Sequence, residues 1–386
     1  MRRNWVGSIT RSCVLGLAVA ASQWGCTSKP APATPATGSP AAPSANQPAS
    51  AESSATPPVE SPVPSEPALL QVPLGLPELP VPDANPMTAA KVELGRMLYF
   101  DTRLSKDGTV SCATCHDPRT AWTEHRATSE GIKSQVGTRN SPSVINSAYA
   151  TAQFWDGRAK TLEEQALGPI GNPIEMGHDL DVMIGDLSKI QAYAAKFQAV
   201  FGTGVTKEGI GEAIAAFERT VLSGNSPYDR FENGETSALD DAQKRGLKVF
   251  KQAGCEGCHA PPVFSNFRYY NAGVGMDQPK PDEGRKTVTG DASDLGKFRV
   301  PALREVANTG PYFHDGSVAT LEEAVSLMAQ GGLDNPNLSG MLKSVGAKNL
   351  SEADRNDLVA FLKALSGEFP VISAPEVKPE VPAGKP

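Results

Sequence analysis

Apolar residues along this chain recur at helical spacing. Ile210, Ile214, Phe217 and Val221 fall three or four residues apart, as do Leu247 and Phe250, and Leu358, Phe361, Leu362 and Leu365 fall on one helical face. Stripes of that period mark the buried face of an amphipathic helix. Start signals stand ahead of several helical stretches: Thr161 with Glu164, Thr320 with Glu323 and Ser351 with Asp354 place a hydroxyl three residues before an acid, the spacing of a capping box. Residues 266–296 are rich in Gly and Pro without a period and read as long loops. The pattern predicts an all-α body.

Two pentapeptides add chemistry to that body. Cys112-Ala-Thr-Cys115-His116 and Cys255-Glu-Gly-Cys258-His259 are copies of Cys-x-x-Cys-His, the attachment signature of c-type haem. Two thiols at this spacing can add to the two vinyl groups of one porphyrin, and the next residue offers an imidazole to the iron. Zinc is the competing use of Cys-x-x-Cys, but it needs four ligands. Both pairs would then have to converge on one metal, leaving His116 and His259 unexplained. The reading is two covalent haems, held by Cys112, Cys115, Cys255 and Cys258, with His116 and His259 as proximal iron ligands.

A repeat ties the motifs together. Pro142, Trp155-Asp-Gly157 and Thr161-Leu-Glu-Glu164 recur as Pro301, His314-Asp-Gly316 and Thr320-Leu-Glu-Glu323 at a constant offset of 159 residues, and the haem motifs recur at 143. Gly95 with Tyr99 and Phe100 parallels Gly246 with Phe250. The chain therefore reads as a duplicated single-haem unit: all-α, two cytochrome-c-like domains, each around one covalent c-type haem, with long irregular loops.

The ends read differently. Arg2, Arg3 and Arg11 with the apolar run Val14 to Ala21 have the layout of a secretory signal peptide. Gly25-Cys26 makes Cys26 a lipidation candidate, with plain secretion after Ala20 as the alternative; either places the protein in the periplasm. From Thr27 to about Pro80 the chain is Pro, Ala and Ser with no aromatic residue, an extended spacer. The expected organisation is 1–25 signal peptide, 26–80 disordered linker, 81–223 and 224–370 as the two haem domains, and 371–386 disordered tail. Net charge is −7, or −10 once the leader's three arginines are removed, which argues against a nucleic-acid partner.

From about Ala84 to Phe369 the chain resembles bacterial dihaem cytochrome c peroxidases and their MauG-type relatives. The resemblance rests on both haem motifs, Phe154-Trp-Asp-Gly-Arg158, Thr161-Leu-Glu-Glu-Gln165, Glu175-Met176 and Pro311-Tyr-Phe-His-Asp-Gly316. It implies that the N-terminal haem meets peroxide, that the C-terminal haem receives electrons, and that Trp155 lies between them. It also implies a calcium ion held by Asn140 and the carbonyls of Thr309 and Pro311. Met328 matches the place where peroxidases carry a methionine as sixth iron ligand, with Met276, Met176 and Met341 as alternatives. Glu175 is the acid–base candidate, since a partly desolvated carboxylate suits proton transfer in peroxide cleavage. Gln165 and Pro169 match further distal positions. Ile132 departs from the peroxidase pattern, standing where those proteins carry a histidine that plugs the first haem; His125 is the substitute considered. His178 reads as a surface-loop residue, and His314 as a hydrogen-bonding group near the second haem.

The favoured function is reduction of hydrogen peroxide to water with electrons from a small cytochrome c or cupredoxin. A MauG-like oxidase acting on side chains of a partner protein is the alternative, and a non-enzymatic dihaem electron carrier the third class. Met328 favours the peroxidase; Ile132 and the Gly331-Gly332 to Leu338 stretch lean toward the MauG-like reading. The resemblance is also compatible with a homodimer.

Overall fold

The computed structural model describes residues 71–375. The leader, Cys26 and most of the expected spacer lie outside that range. Among the described residues no helix is long and apolar enough to cross a membrane.

Two helix pairs organise the two halves. In the first, the helix Ala89–Phe100 packs on Lys207–Glu218; in the second, Asp241–Ala253 packs on Glu352–Lys363. Both pairs cross at a glycine. A Cβ on Gly95 would collide with the Ala213 carbonyl and lie 2.8 Å from Phe217 Cβ; one on Gly246 would collide with the Asp357 carbonyl and lie 2.7 Å from Phe361 Cβ. The repeat seen in the sequence is thus a repeat of one backbone crossing. Each half has its own apolar cluster, and edge-on or tilted aromatic pairs stand beside each crossing: Tyr99–Phe217 at 5.1 Å and Phe250–Phe361 at 5.2 Å.

The predicted stripes lie where their period puts them. Ile210, Ile214 and Phe217 are buried along Lys207–Glu218, with Val221 just past its end; Leu358, Phe361 and Leu362 are buried along Glu352–Lys363. Thr320 with Glu323 and Ser351 with Asp354 form complete capping boxes. The Thr161 box is only half made. Thr161 Oγ1 accepts from Glu164 N–H at 3.2 Å, but Glu164 reaches back to the Lys160 N–H at 2.8 Å, one residue earlier than the motif requires.

Three expectations need correction. The body is not purely helical: Tyr269–Tyr270 and Phe298–Arg299 form a two-stranded antiparallel ribbon inside and beside the long loop region. The stretch 71–80, assigned to the spacer, packs against the body. Arg304 donates to the Gly75 carbonyl and Asn225 N–H to that of Leu74, both at 2.8 Å, and Leu79 is buried. Residues 371–373, assigned to the tail, also pack against the body. Trp122 Nε1 donates to the Pro370 carbonyl at 2.8 Å and Arg96 to that of Ser373 at 3.0 Å, while Ile372 packs on the first cluster. Prolines break any apolar period in both stretches, and their attachment is largely through backbone carbonyls.

Two cavities and the candidate active site

Each Cys-x-x-Cys-His segment follows the first helix of its pair, and each histidine N–H closes back on the first cysteine: His116 to Cys112 O at 3.0 Å and His259 to Cys255 O at 2.9 Å. That turn directs both thiols and the ring toward one space. The first such space is a cavity of about 990 Å³ lined by Cys112, Cys115 and His116. The second, about 240 Å³, is lined by Cys255, Cys258 and His259. The two cysteine pairs therefore do not converge, and no cluster of three or more His, Cys, Asp or Glu side chains suited to a metal ion occurs among the described residues. The shared-zinc reading fails on this geometry.

The residues fit haem. All four cysteines are unpaired thiols whose pKa is raised by burial, Cys115 to about 12 and Cys255 to about 11. Burial pushes His116 and His259 down to about 4, so both rings are neutral, the form that donates a lone pair to iron. His259 Nδ1 lies 3.1 Å from the Phe264 carbonyl, which assigns the proton to Nδ1 and the lone pair to Nε2. His116 Nδ1 is buried with no hydrogen-bond partner of ordinary geometry, although the backbone at Trp122 and Pro142 slightly favours its protonated form.

On the wall of the first cavity stand Glu175, Gln165, Pro169 and Asn172. The helix Leu162–Gly171 carries Gln165 and Pro169, and the tight turn after it presents Glu175. That turn is clamped from below by residues 131–135. Ile132 N–H donates to the Glu175 carbonyl at 2.8 Å and Gln135 Nε2 to that of Pro173 at 3.0 Å. Gly131 passes so close that a Cβ there would lie 2.7 Å from Glu175 Cα. Asn172 Nδ2 donates to Glu175 Oε1 at 2.8 Å. Burial raises the Glu175 pKa, opposed by the Arg158 charge and by the Asn172 bond. Asn172 and Glu218 were missed by the sequence reading, and Arg158 entered it only as the end of the Phe154–Arg158 motif; the three-residue spacing from Asn172 to Glu175 could have suggested the first.

Ile132 is buried beneath this turn, against Gly177, and does not line the cavity. His125 is exposed, with Nε2 3.1 Å from the Thr120 carbonyl, and His178 turns Nδ1 to the Asp179 carbonyl at 3.0 Å; neither lines the first cavity.

Trp155 lines both cavities, its Nε1 donating to the Asn140 carbonyl at 2.8 Å. Met328, half-buried near the end of the helix Leu321–Ala329, shares the second cavity with His259. Met341 lines it too but is 43% exposed; Met176 lines the first cavity, and Met276 neither. His314 is buried and stacked on Phe298 at 3.6 Å, in the second cavity. Asn140, Thr309 and Pro311 line the first cavity together, but they bring only neutral oxygen donors, and Asn140 Nδ2 is engaged with the Arg126 carbonyl.

Two separate thiol–imidazole cradles meeting at one tryptophan define a two-centre redox protein of the c-type haem class. The comparisons narrow this. Residues 89–237 match the family model described as di-haem cytochrome c peroxidase, and residues 243–366 that of cytochrome c. The chain is 39% identical over 303 residues to a cytochrome c551 peroxidase of Nitrosomonas europaea, covering 78% of this chain and 87% of that protein. It is 38% identical over 307 residues to the methylamine utilization protein MauG of Methylorubrum extorquens, covering 78% and 84%. A crystal structure of a MauG-like protein associated with microbial copper homeostasis superposes with a TM-score of 0.69 at 34% identity, over 77% of this chain and 95% of that one. The chain belongs to the bacterial dihaem cytochrome c peroxidase and MauG family, and it is an oxidoreductase.

Proposed function

We propose that the protein reduces hydrogen peroxide to water in the periplasm, drawing electrons from a small cytochrome c or cupredoxin. The observation that carries this reading is Glu175, a carboxyl of raised pKa held on the wall of the cavity that also contains Cys112, Cys115 and His116. The two haems would supply the iron that meets peroxide and the store of electrons; His116 would hold the first, and His259 with Met328 the second. Glu175 takes a proton from one peroxide oxygen and hands it to the other, which leaves as water. With two electrons and two protons, one peroxide gives two waters. Asn172 keeps the carboxylate aimed during this exchange, and Gln165 and Pro169 shape the space around it. Trp155, anchored on Asn140, carries electrons between the two sides. A calcium ion on Asn140, Thr309 and Pro311, and tethering through a lipidated Cys26, complete the proposal.

A MauG-like oxidase is the second reading, and Ile132 favours it. With an isoleucine at that position and His125 away from the cavity, the first site has no histidine to close it. Steady-state peroxide consumption with a reduced small cytochrome c separates the readings. Sustained consumption coupled to cytochrome oxidation supports the peroxidase. Consumption only alongside modification of a partner protein supports the oxidase, and no consumption points to a carrier.

A further inference from the structure

Arg299 is a half-buried cation with no carboxylate partner among the described residues. It stands in the ribbon strand Phe298–Arg299, whose Arg299 N–H donates to the Trp155 carbonyl at 2.7 Å, and its side chain lines both cavities. Its Nε donates to the Phe154 carbonyl at 3.2 Å, and the guanidinium carbon lies 5.8 Å from the Phe267 ring. Two buried arginines have carboxylates, Arg219 meeting Glu163 at 2.7 Å and Arg304 meeting Asp229 at 2.8 Å, and the half-buried Arg139 holds Asp156 at 2.6 Å and Asp282 at 2.7 Å. Among the described residues Arg299 has no such ion pair. Burial lowers its pKa to about 10, with Tyr269 opposing. No hydrogen bond to a described residue engages its terminal nitrogens, so a negative group on the cavity's occupant would meet a free guanidinium and form a charge-assisted pair.

We propose that Arg299 binds a propionate carboxylate of the bound haem and, from the wall common to both cavities, sets the reduction potential of the haem it pairs with. The inference rests on the dihaem reading. It assigns Arg299 a binding role that its backbone pairing in the ribbon does not require. A cation beside a haem favours the reduced, less positive state; removing it favours the oxidised state.

The test is a spectroelectrochemical titration of both haems in the holoprotein, with haem counted by pyridine haemochrome. Arg299→Gln should weaken the hold of at least one haem on its electron by on the order of tenfold, about 59 mV lower for a one-electron couple. Arg299→Lys, which keeps the charge, should stay near wild type. Unchanged potentials in a Gln variant with two haems would overturn the proposal. If the Gln variant loses haem, the Lys variant decides: retention of both haems at near wild-type potentials supports charge pairing, and equal loss assigns Arg299 to its Phe154 bond alone. Wild-type potentials that follow added chloride or acetate would make a solvent anion the partner and also overturn it. A wild type with fewer than two haems refutes the dihaem reading instead.

Discussion

Replacing Gly246 with alanine probes the crossing on which the second haem motif depends. In an exposed helix the change stabilises by about 0.5–1 kcal/mol, because glycine has more backbone freedom to lose. At this crossing the new methyl would overlap the Asp357 carbonyl and lie 2.7 Å from Phe361 Cβ, where ordinary contact begins at 3.4 Å. The helices Asp241–Ala253 and Glu352–Lys363 must then separate by more than half an ångström, and overpacking of that kind costs about 1–3 kcal/mol. The balance is a net loss of about 1–2 kcal/mol, and Gly95→Ala should match it because its surroundings repeat. Gly185 supplies the control: it lies in the helix Leu180–Ser188, is exposed, and an added Cβ would meet nothing within 4 Å. Gly185→Ala should raise the guanidinium midpoint while the other two lower it. Three variants shifting in the same direction would refute the claim that close approach, and not helix propensity, fixes these glycines.

Glu175→Gln preserves an oxygen that can accept from Asn172 but removes the proton carrier; peroxide turnover should fall on the order of 10² or more with intact haem spectra. Because the ionised form starts the reaction and burial raises its pKa above the ordinary 4.5, wild-type turnover should decline on acidification at a pH above 4.5, and the variant should lack that limb. Met328→Tyr should lower the potential of the C-terminal haem and abolish any thioether-to-iron charge-transfer band; unmoved potentials would hand the ligand role to another residue. Glu218, buried on the first cavity wall, has its pKa lifted by burial to about 8 from 4.5, with Arg219 opposing and Glu163 adding. The folded state then holds a proton that the unfolded chain releases, so stability is lost as pH rises from 4.5 to about 8 and is level beyond. Glu218→Gln should flatten that slope in urea midpoints measured at pH 5 and pH 8; an unchanged slope would mean Glu218 ionises normally.

Local patterns announced what depends on local spacing. The haem pentapeptides, the buried stripe from Ile210 to Val221 and the Thr320–Glu323 box are all readable because thiols, apolar faces and caps act over a few residues. Arg299 could not be read this way. Its isolation from carboxylates exists only once the ribbon pairs Tyr269 with Arg299 and joins it to Trp155. The same holds for the clamp under Glu175, where Ile132 contributes a backbone N–H that any residue but proline could supply. Ile132 was informative in the sequence for what it is not, a histidine; in the fold it packs beneath the turn carrying the proposed proton carrier.

The central claim is that one cavity joins peroxide to Glu175 while Trp155 delivers electrons from the other. The most direct measurement mixes the fully oxidised holoprotein with peroxide and a reduced small cytochrome c, following both reactants without prior reduction of the enzyme. The account predicts two cytochromes oxidised per peroxide consumed, with no reductive lag, and collapse of that coupled turnover in Glu175→Gln. Peroxide loss without cytochrome oxidation, or coupled turnover that survives Glu175→Gln unchanged, would contradict it.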